Sequence, residues 1–209
     1  MVPTFIAYGG PMIWLILLAS AVAGVVFLQR VIHYHREQIN STEFLNGVRN
    51  VLKRENVVEA LSICDATPGP VARLVKVAIL NRDRGRDGVR LALEEAGLIE
   101  VPQLEEKLNL IATIAQIAPL MGLLGTVLGF IRVFSTIEAQ GTLAPLESLA
   151  GGIWEALICT AAGLAVAIPC YAGYNYLVNR VNEIVLDMEK AATEIVNILE
   201  ETASSGVRT

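Results

Sequence analysis

The sequence has little charge, few cysteines and no excess of basic residues. Only 18% of its 209 residues are charged, and the formal net charge is −5. A typical soluble domain carries about 25% charged residues, and a nucleic-acid-binding domain has a basic surface. The three cysteines have no CxxC spacing, which predicts neither a disulfide framework nor a zinc site. With 54% hydrophobic residues, the chain is not a disordered one, and we expect no nucleic-acid partner.

Three long stretches of the sequence contain almost no charged residues. Residues 2–29 and 108–131 contain no Asp, Glu, Lys or Arg, and residues 148–179 contain only Glu155. Each stretch supplies the roughly 20 apolar residues that cross a bilayer as a helix. Although Ala21-Val22-Ala23 resembles a signal-peptide cleavage site, no basic residue precedes it and the apolar run continues. We therefore predict an all-α membrane protein with three retained transmembrane helices.

The basic residues predict the orientation of these helices. Residues 30–107 contain 12 of the 16 Lys and Arg residues, and 135–150 contain none. The positive-inside rule then places the N-terminus outside and the C-terminus in the cytoplasm. The predicted divisions are a periplasmic N-terminus 1–10, a first span 11–32, a cytoplasmic helical domain 33–107, a second span 108–134, a periplasmic loop 135–150, a third span 151–178 and a cytoplasmic C-terminal helix and tail 179–209.

Apolar residues at helical spacing predict a small helical bundle in the cytoplasmic domain. A helix that begins near Val89 is expected to continue into the second span, because Pro102 is the only breaker between them. Beyond Arg180 an apolar stripe with three-to-four spacing predicts that the third span extends as one helix to about residue 200. The stripe has two interpretations. It packs against the cytoplasmic helices of its own chain, against the same tail in other copies, or against both.

Glu155 is the only ionisable side chain well inside a predicted span. A charged group there is costly, so it faces a cavity or the interior of the helix bundle. At about 100° per residue, it shares a face with small residues such as Gly151, Gly152 and Cys159, whereas Leu157 and Ile168 lie opposite. Two interpretations remain open. Glu155 reaches water at the outer surface, or it belongs to an ion path or a partner contact.

Small residues also line one face of the second span around Thr126. Such faces allow helices to approach closely in lipid, and a proline inside a helix frees a carbonyl, which lines a cavity or marks a kink. Threonines in spans usually bond their own backbone, so Thr126 and Thr160 alone indicate little. The predicted packing and kink positions are Pro119, Gly122, Gly125, Gly129, Gly151, Gly152, Gly163 and Pro169.

Two sequence runs resemble signatures of the ExbB/TolQ proteins, relatives of the flagellar stator protein MotA. The run APLMGLLGTVLGF at 118–130 is similar to the second-span signature, and GIWEALICTAAGLAVAIP at 152–169 is similar to the third. Tyr174-Asn175 also fits. The resemblance covers about residues 115–180, with ExbB as the nearer type.

The resemblance implies a homopentamer in the bacterial inner membrane that encloses the single membrane helices of two copies of an ExbD- or TolR-like partner. An aspartate of that partner carries protons, and a TonB-like or TolA-like protein receives the work. The family's carboxylate and two threonines fall on Glu155, Thr126 and Thr160, which are assigned to the proton path or the partner contact. The coupling ion is the proton rather than sodium, and no cofactor or metal is implied.

The predicted function is therefore a subunit of a motor driven by the proton-motive force, supporting a process such as TonB-dependent import. The alternatives are a TolQ-like subunit for envelope maintenance and a non-conducting oligomeric membrane scaffold. A MotA-type stator has four spans and a larger cytoplasmic portion than this sequence predicts, so a stator role is not the prediction. A membrane enzyme has little support, because the sequence offers no nucleophile–base pair, metal cluster or phosphate loop.

Overall fold

A computed structural model describes residues 10–141 and 145–206 of the chain. The parts of the predicted N-terminus, loop and tail at 1–9, 142–144 and 207–209 lie outside the described residues. The regular structure is helical, which confirms the predicted all-α class. The helices are α1 Gly10–Glu37, α2 Ser41–Leu52, α3 Val57–Ala66, α4 Pro70–Leu80, a short 3₁₀ turn Arg82–Arg84, α5 Gly85–Glu105, α6 Leu108–Gln140 and α7 Leu146–Gly206.

Three of these helices, α1, α6 and α7, are long and apolar enough to cross a membrane. Contacts divide the chain into two compact units. The span unit consists of Met1–Gln29 and Lys107–Tyr176, and the bundle unit of Arg30–Glu106 and Leu177–Thr209. Both α1 and α7 contribute residues to each unit.

Local sequence signals explain where the helices of the bundle unit begin. Asn40 precedes α2, and its side chain accepts a hydrogen bond from the amide of Glu43 at 3.4 Å. Asn56 does the same for α3 with the amide of Glu59 at 3.3 Å. Both fit the spacing of a capping residue followed three positions later by Glu. Pro70 begins α4, where its missing N–H costs nothing.

The prediction of one continuous helix from Val89 into the second span is wrong, because the helix is interrupted between α5 and α6. α5 passes through Pro102 but ends at Glu105, and α6 begins at Leu108. Lys107 between them has a left-handed backbone (φ 67°), a common way for a helix to end. In an unbroken helix the Leu104 carbonyl would accept from the Leu108 amide. Here it accepts a 2.5 Å hydrogen bond from the Tyr34 hydroxyl instead.

The apolar stripe of α7 forms part of the core of the bundle unit. Its buried positions alternate in steps of four and three residues, a heptad pattern, and they are Leu177, Val181, Ile184, Met188, Ala191, Ile195 and Ile198. Ion pairs flank the stripe, from Arg49 to Glu194 at 3.0 Å and from Arg86 to Glu200 at 3.3 Å. Of the two interpretations of the stripe, packing against the chain's own helices is therefore what the structure shows.

Truncating the stripe tests its contribution to stability. Ile195 is fully buried, whereas Leu186 on the same helix is 53% exposed. We expect Ile195→Ala to lower the free energy of unfolding by about 2–4 kcal/mol, because a cavity remains in the core. Leu186→Ala should change it by less than about 0.5 kcal/mol. Urea unfolding of the detergent-solubilised protein, followed by circular dichroism, measures both. Equal effects would contradict the packing described for α7.

Candidate functional site

Glycines bring the backbones of α6 and α7 into contact in the span unit. A Cβ placed on Gly122 would lie 2.9 Å from the carbonyl oxygen of Cys159, and one on Gly163 would lie 2.6 Å from that of Ala118. A Cβ on Gly129 would lie 2.9 Å from the carbonyl oxygen of Gly152. We call this contact the glycine seam. Small residues at helix interfaces in lipid permit such close approach.

The other predicted packing positions divide into those inside and outside the seam. A Cβ on Gly125 would come within 2.5 Å of the Cys159 side chain, and one on Gly152 within 2.5 Å of Val133. Gly151 meets no atom within 4 Å, so the structure does not bring it into the seam. Pro119 and Pro169 lie inside α6 and α7, and both helices continue past them.

The predicted outward face of the third span is exposed in the span unit. Its bulky apolar side chains are 41–69% exposed, and they are Ile153, Leu157, Leu164, Ile168 and Tyr171. Ala156 and Cys159, on the side of the helix that faces α6, are buried. Bulky exposed faces suit contact with lipid or with another helix.

Thr126 and Thr160 face each other across the seam. Their hydroxyls form a short hydrogen bond in which either oxygen can be the donor. The Thr126 hydroxyl also lies 3.2 Å from the carbonyl oxygen of Gly122 and 3.3 Å from that of Ala156. The Thr160 hydroxyl lies 3.4 Å from the same Gly122 oxygen. The sequence left these threonines as separate candidates, and the structure joins them into one hydroxyl pair.

The hydroxyl pair has more acceptors than protons. Each threonine hydroxyl has one proton to donate and two lone pairs that accept. The two protons therefore satisfy two of the four donor–acceptor contacts at a time. When Thr126 donates to a backbone carbonyl, Thr160 can donate to Thr126, and the reverse arrangement is equally available. The pair can thus change its direction of donation without moving heavy atoms.

Glu155 forms an ion pair with Arg132 of α6. The Arg132 Nη1 atom lies 2.5 Å and 2.7 Å from the two carboxylate oxygens. The Glu155 side chain is 18% exposed and that of Arg132 is 54% exposed. A charged hydrogen bond of this length belongs to the stronger class, so the carboxylate is held at a fixed place on the helix pair.

The beginning of α1 approaches the same carboxylate. Gly10 has a left-handed backbone (φ 60°), and a Cβ there would overlap Oε1 of Glu155. A helix N-terminus carries partial positive charge and favours an anion nearby. Glu155 thus lies among parts of all three candidate spanning helices.

The ion pair and the hydroxyl pair are separate groups. Thr160 follows Glu155 by five residues, which is about 7.5 Å along a helix. Thr126 precedes Arg132 by six residues, about 9 Å. The two pairs therefore lie at different levels of the same helix contact.

Sequence reasoning missed the partner of Glu155. That partner is Arg132, a basic residue at the outer end of the second span to which sequence reasoning assigned no role. The signal was present, because residues 108–137 and 148–179 contain one charged residue each, of opposite sign. A lone acid and a lone base in two neighbouring spans are expected to pair.

Other chemistry-bearing residues stand apart from this site. Within the part of the chain that the structure describes, His, Cys, Asp and Glu form no group suited to hold a metal. Burial raises the pKa of the Cys64 thiol in the bundle unit to about 11. That thiol stays protonated near neutral pH and behaves as a packing residue.

Comparison with known proteins relates this site to a family. A sequence model of the MotA/TolQ/ExbB proton channel family matches residues 66–190, which include both pairs and the seam. The chain is 29% identical over 182 residues to an ExbB homolog of Methanothermobacter thermautotrophicus, a match that covers 86% of this chain and 64% of the relative.

Two further relatives carry ExbB and TolQ names. The biopolymer transport protein ExbB of Neisseria gonorrhoeae is 28% identical over 195 residues, 87% of each chain. The Tol-Pal system protein TolQ of Haemophilus influenzae is 39% identical over 116 residues, 56% of this chain and 50% of TolQ. The chain thus spans less than two thirds of two of these three relatives.

A methyl group at the seam should disrupt it. We expect Gly122→Ala to destabilise the span unit by about 1–3 kcal/mol, because the added Cβ meets backbone that cannot rotate away. Gly151→Ala is the matched control, since its Cβ enters open space. The thermal unfolding midpoint in detergent compares the two variants. A midpoint for Gly122→Ala that equals the control would show that the helices are not in backbone contact.

Proposed function

Because the chain belongs to the MotA/TolQ/ExbB proton channel family, we propose that it is the subunit of an inner-membrane complex that converts proton flow into mechanical work. The family is described by transport and not by an enzymatic reaction, and the chain is a multi-pass membrane protein of ExbB/TolQ type, most like ExbB. In the proposed complex, five copies surround a dimer of a single-span ExbD/TolR-like partner. Movement of that dimer would act on a TonB-like or TolA-like protein outside the membrane.

The distribution of basic residues supports the proposed orientation. With 12 of 16 Lys and Arg in 30–107, the bundle unit would lie in the cytoplasm of a bacterium. The hydroxyl pair would then lie deeper in the membrane than the ion pair, which would be near the periplasmic surface.

The hydroxyl pair is the observation that carries the proposal. Because their direction of donation can reverse, the two hydroxyls can accept a proton from one neighbouring group and donate a proton to another. A carboxyl group within hydrogen-bond reach of such a pair can exchange its proton through it. Without a carboxyl of its own at that level, the chain would need the partner's acidic side chain to complete the path.

The chain's own charges support a path that depends on a partner. In α6 from 108 to 137 and α7 from 149 to 179, Arg132 and Glu155 are the ionisable residues of Asp, Glu, Lys and Arg type, and they neutralise each other. A chain of protonatable groups across the membrane is therefore not supplied by these helices. A second protein that inserts an acidic residue beside the hydroxyl pair would supply the missing step.

A non-conducting scaffold is the second candidate. The contacts of Thr126 with the Gly122 and Ala156 carbonyls favour it, because the same hydroxyls can simply fasten two helices together. A TolQ-like role in envelope maintenance differs from an ExbB-like role in import mainly in the partner and keeps the same proton path.

Removing the hydroxyls separates conduction from scaffolding. We expect Thr126→Val with Thr160→Val to keep assembly, because both partners of the hydrogen bond are replaced by groups of similar shape. Proton uptake into proteoliposomes that contain the chain and its single-span partner should fall about a hundredfold, the scale of a lost proton-transfer group. The double serine variant keeps the hydroxyls and should keep the flux.

Thr113→Val is the matched control, because the Thr113 hydroxyl is exposed and bonds only its own helix at Asn109. Replacing sodium by choline in the same vesicles should leave the flux unchanged if protons are the coupling ion. Undiminished proton uptake in the assembled double valine variant would favour the scaffold.

A further inference from the structure

We infer that Arg132 is a positioning residue that holds the Glu155 carboxylate in place, so that Glu155 fastens the outer ends of the spanning helices and does not itself carry protons. The inference rests on the proposed function, because it concerns which residues take part in the proposed proton path and which do not. It assigns proton exchange to the hydroxyl pair and electrostatic fastening to the ion pair.

The geometry of the carboxylate supports this assignment. Both oxygens of Glu155 lie within 2.7 Å of a single guanidinium nitrogen. A carboxyl group that carries protons must give up such a contact in each cycle, since its protonated oxygen becomes a donor facing another donor. Breaking a partly buried charge pair leaves an uncompensated charge and is costly.

The start of α1 holds the carboxylate from another side. Gly10 packs so closely on Oε1 of Glu155 that no larger side chain fits. The backbone amides at this helix start carry partial positive charge, which attracts the carboxylate. The guanidinium of Arg132 and the start of α1 therefore fix the Glu155 carboxylate from two sides.

The two pairs are also separated along the helices. The backbone of Glu155 lies about 7.5 Å along the helix from that of Thr160, and a helical side chain tilts toward the N-terminus, which for Glu155 is away from Thr160. Glu155 therefore cannot pass a proton to the hydroxyl pair while it holds Arg132.

The contact also predicts which substitutions are tolerated. Arg132 uses one nitrogen for both oxygens, so the forked geometry that distinguishes arginine from lysine is not used. Arg132→Lys should therefore retain proton uptake within about threefold, whereas Arg132→Glu should lose about tenfold, because two carboxylates then face each other.

Exchange of the two charges is the decisive experiment. The single variants Arg132→Glu and Glu155→Arg and their combination are reconstituted with the single-span partner, and proton uptake is measured beside the thermal midpoint. We expect each single variant to lose about tenfold and the exchanged pair to recover part of that loss, because the ion pair is restored while the positive start of α1 then faces a cation. The exposed pair Arg90–Glu94, exchanged in the same way, serves as the control and should change nothing.

A second variant covers the case in which the exchanged pair does not assemble. Arg132→Gln with Glu155→Gln leaves no unpaired charge and is expected to conduct better than either single reversal. An assembled complex that carries either double variant and conducts no protons would overturn the inference, because a carboxyl group at position 155 would then be required. Wild-type flux in either single reversal would overturn it too.

Failure of the proposed function would look different. In that case the wild-type complex itself would conduct no protons, whatever the charges at 132 and 155. The anchor is then judged by the thermal midpoint, which the single reversals should lower and the exchanged pair should partly recover. A midpoint for the exchanged pair no higher than that of the single reversals would overturn the anchor independently of conduction.

Discussion

The close contact between α6 and α7 is the constraint on which the polar chemistry of this protein depends. Where Gly122 and Gly163 meet, each helix lacks the side chain that would hold the other away. Only at that separation can Thr126 and Thr160 share a hydrogen bond. The two helices run antiparallel and stay in contact as far as Arg132, which therefore lies beside Glu155. In lipid, where apolar burial gives little driving force, packing and such polar contacts hold helices together.

The hydroxyl pair and the ion pair have different proposed roles, proton exchange for the first and fastening of the helices for the second. A charged residue in a membrane is conspicuous, and Glu155 draws attention for that reason. Its carboxylate is nevertheless held in place, with Arg132 and the start of α1 against it. The hydroxyl pair is neutral and less conspicuous, yet it has the spare acceptors and the reversible donation that proton exchange requires.

The bundle unit solves a different problem. The chain breaks at Lys107 instead of continuing as one helix from α5 into α6, and Tyr34 supplies the donor that the interrupted helix leaves missing. α7 meets no such break, so its heptad stripe enters the core of the bundle unit as the direct continuation of a spanning helix. α7 is therefore shared by the span unit, where glycines allow close backbone contact, and the bundle unit, where the heptad stripe forms part of the core.

The sequence predicted features that depend on composition and period. Stretches without charge predicted the spanning helices, and the heptad stripe of α7 predicted a buried face. The sequence could not predict the break at Lys107, because a lysine with a left-handed backbone leaves no signal in the composition. The residue that did suggest a break, Pro102, lies within α5. The partner of Glu155 was missed because periodicity describes one helix at a time, and a pair between helices depends on register. Small residues at helical spacing predicted close helix contacts, but the pattern does not say which glycines meet a neighbour within the chain, and Gly151 meets none within 4 Å among the described residues.

An experimental structure of the complex with its single-span partner would test the central claim most directly. The quantity to measure is the distance from the partner's membrane carboxyl group to the hydroxyls of Thr126 and Thr160. The account predicts about 2.6–3.2 Å, or one intervening water, with the contact between Arg132 and Glu155 intact. A partner carboxyl group that instead binds Arg132 and displaces Glu155, away from the hydroxyl pair, would contradict it.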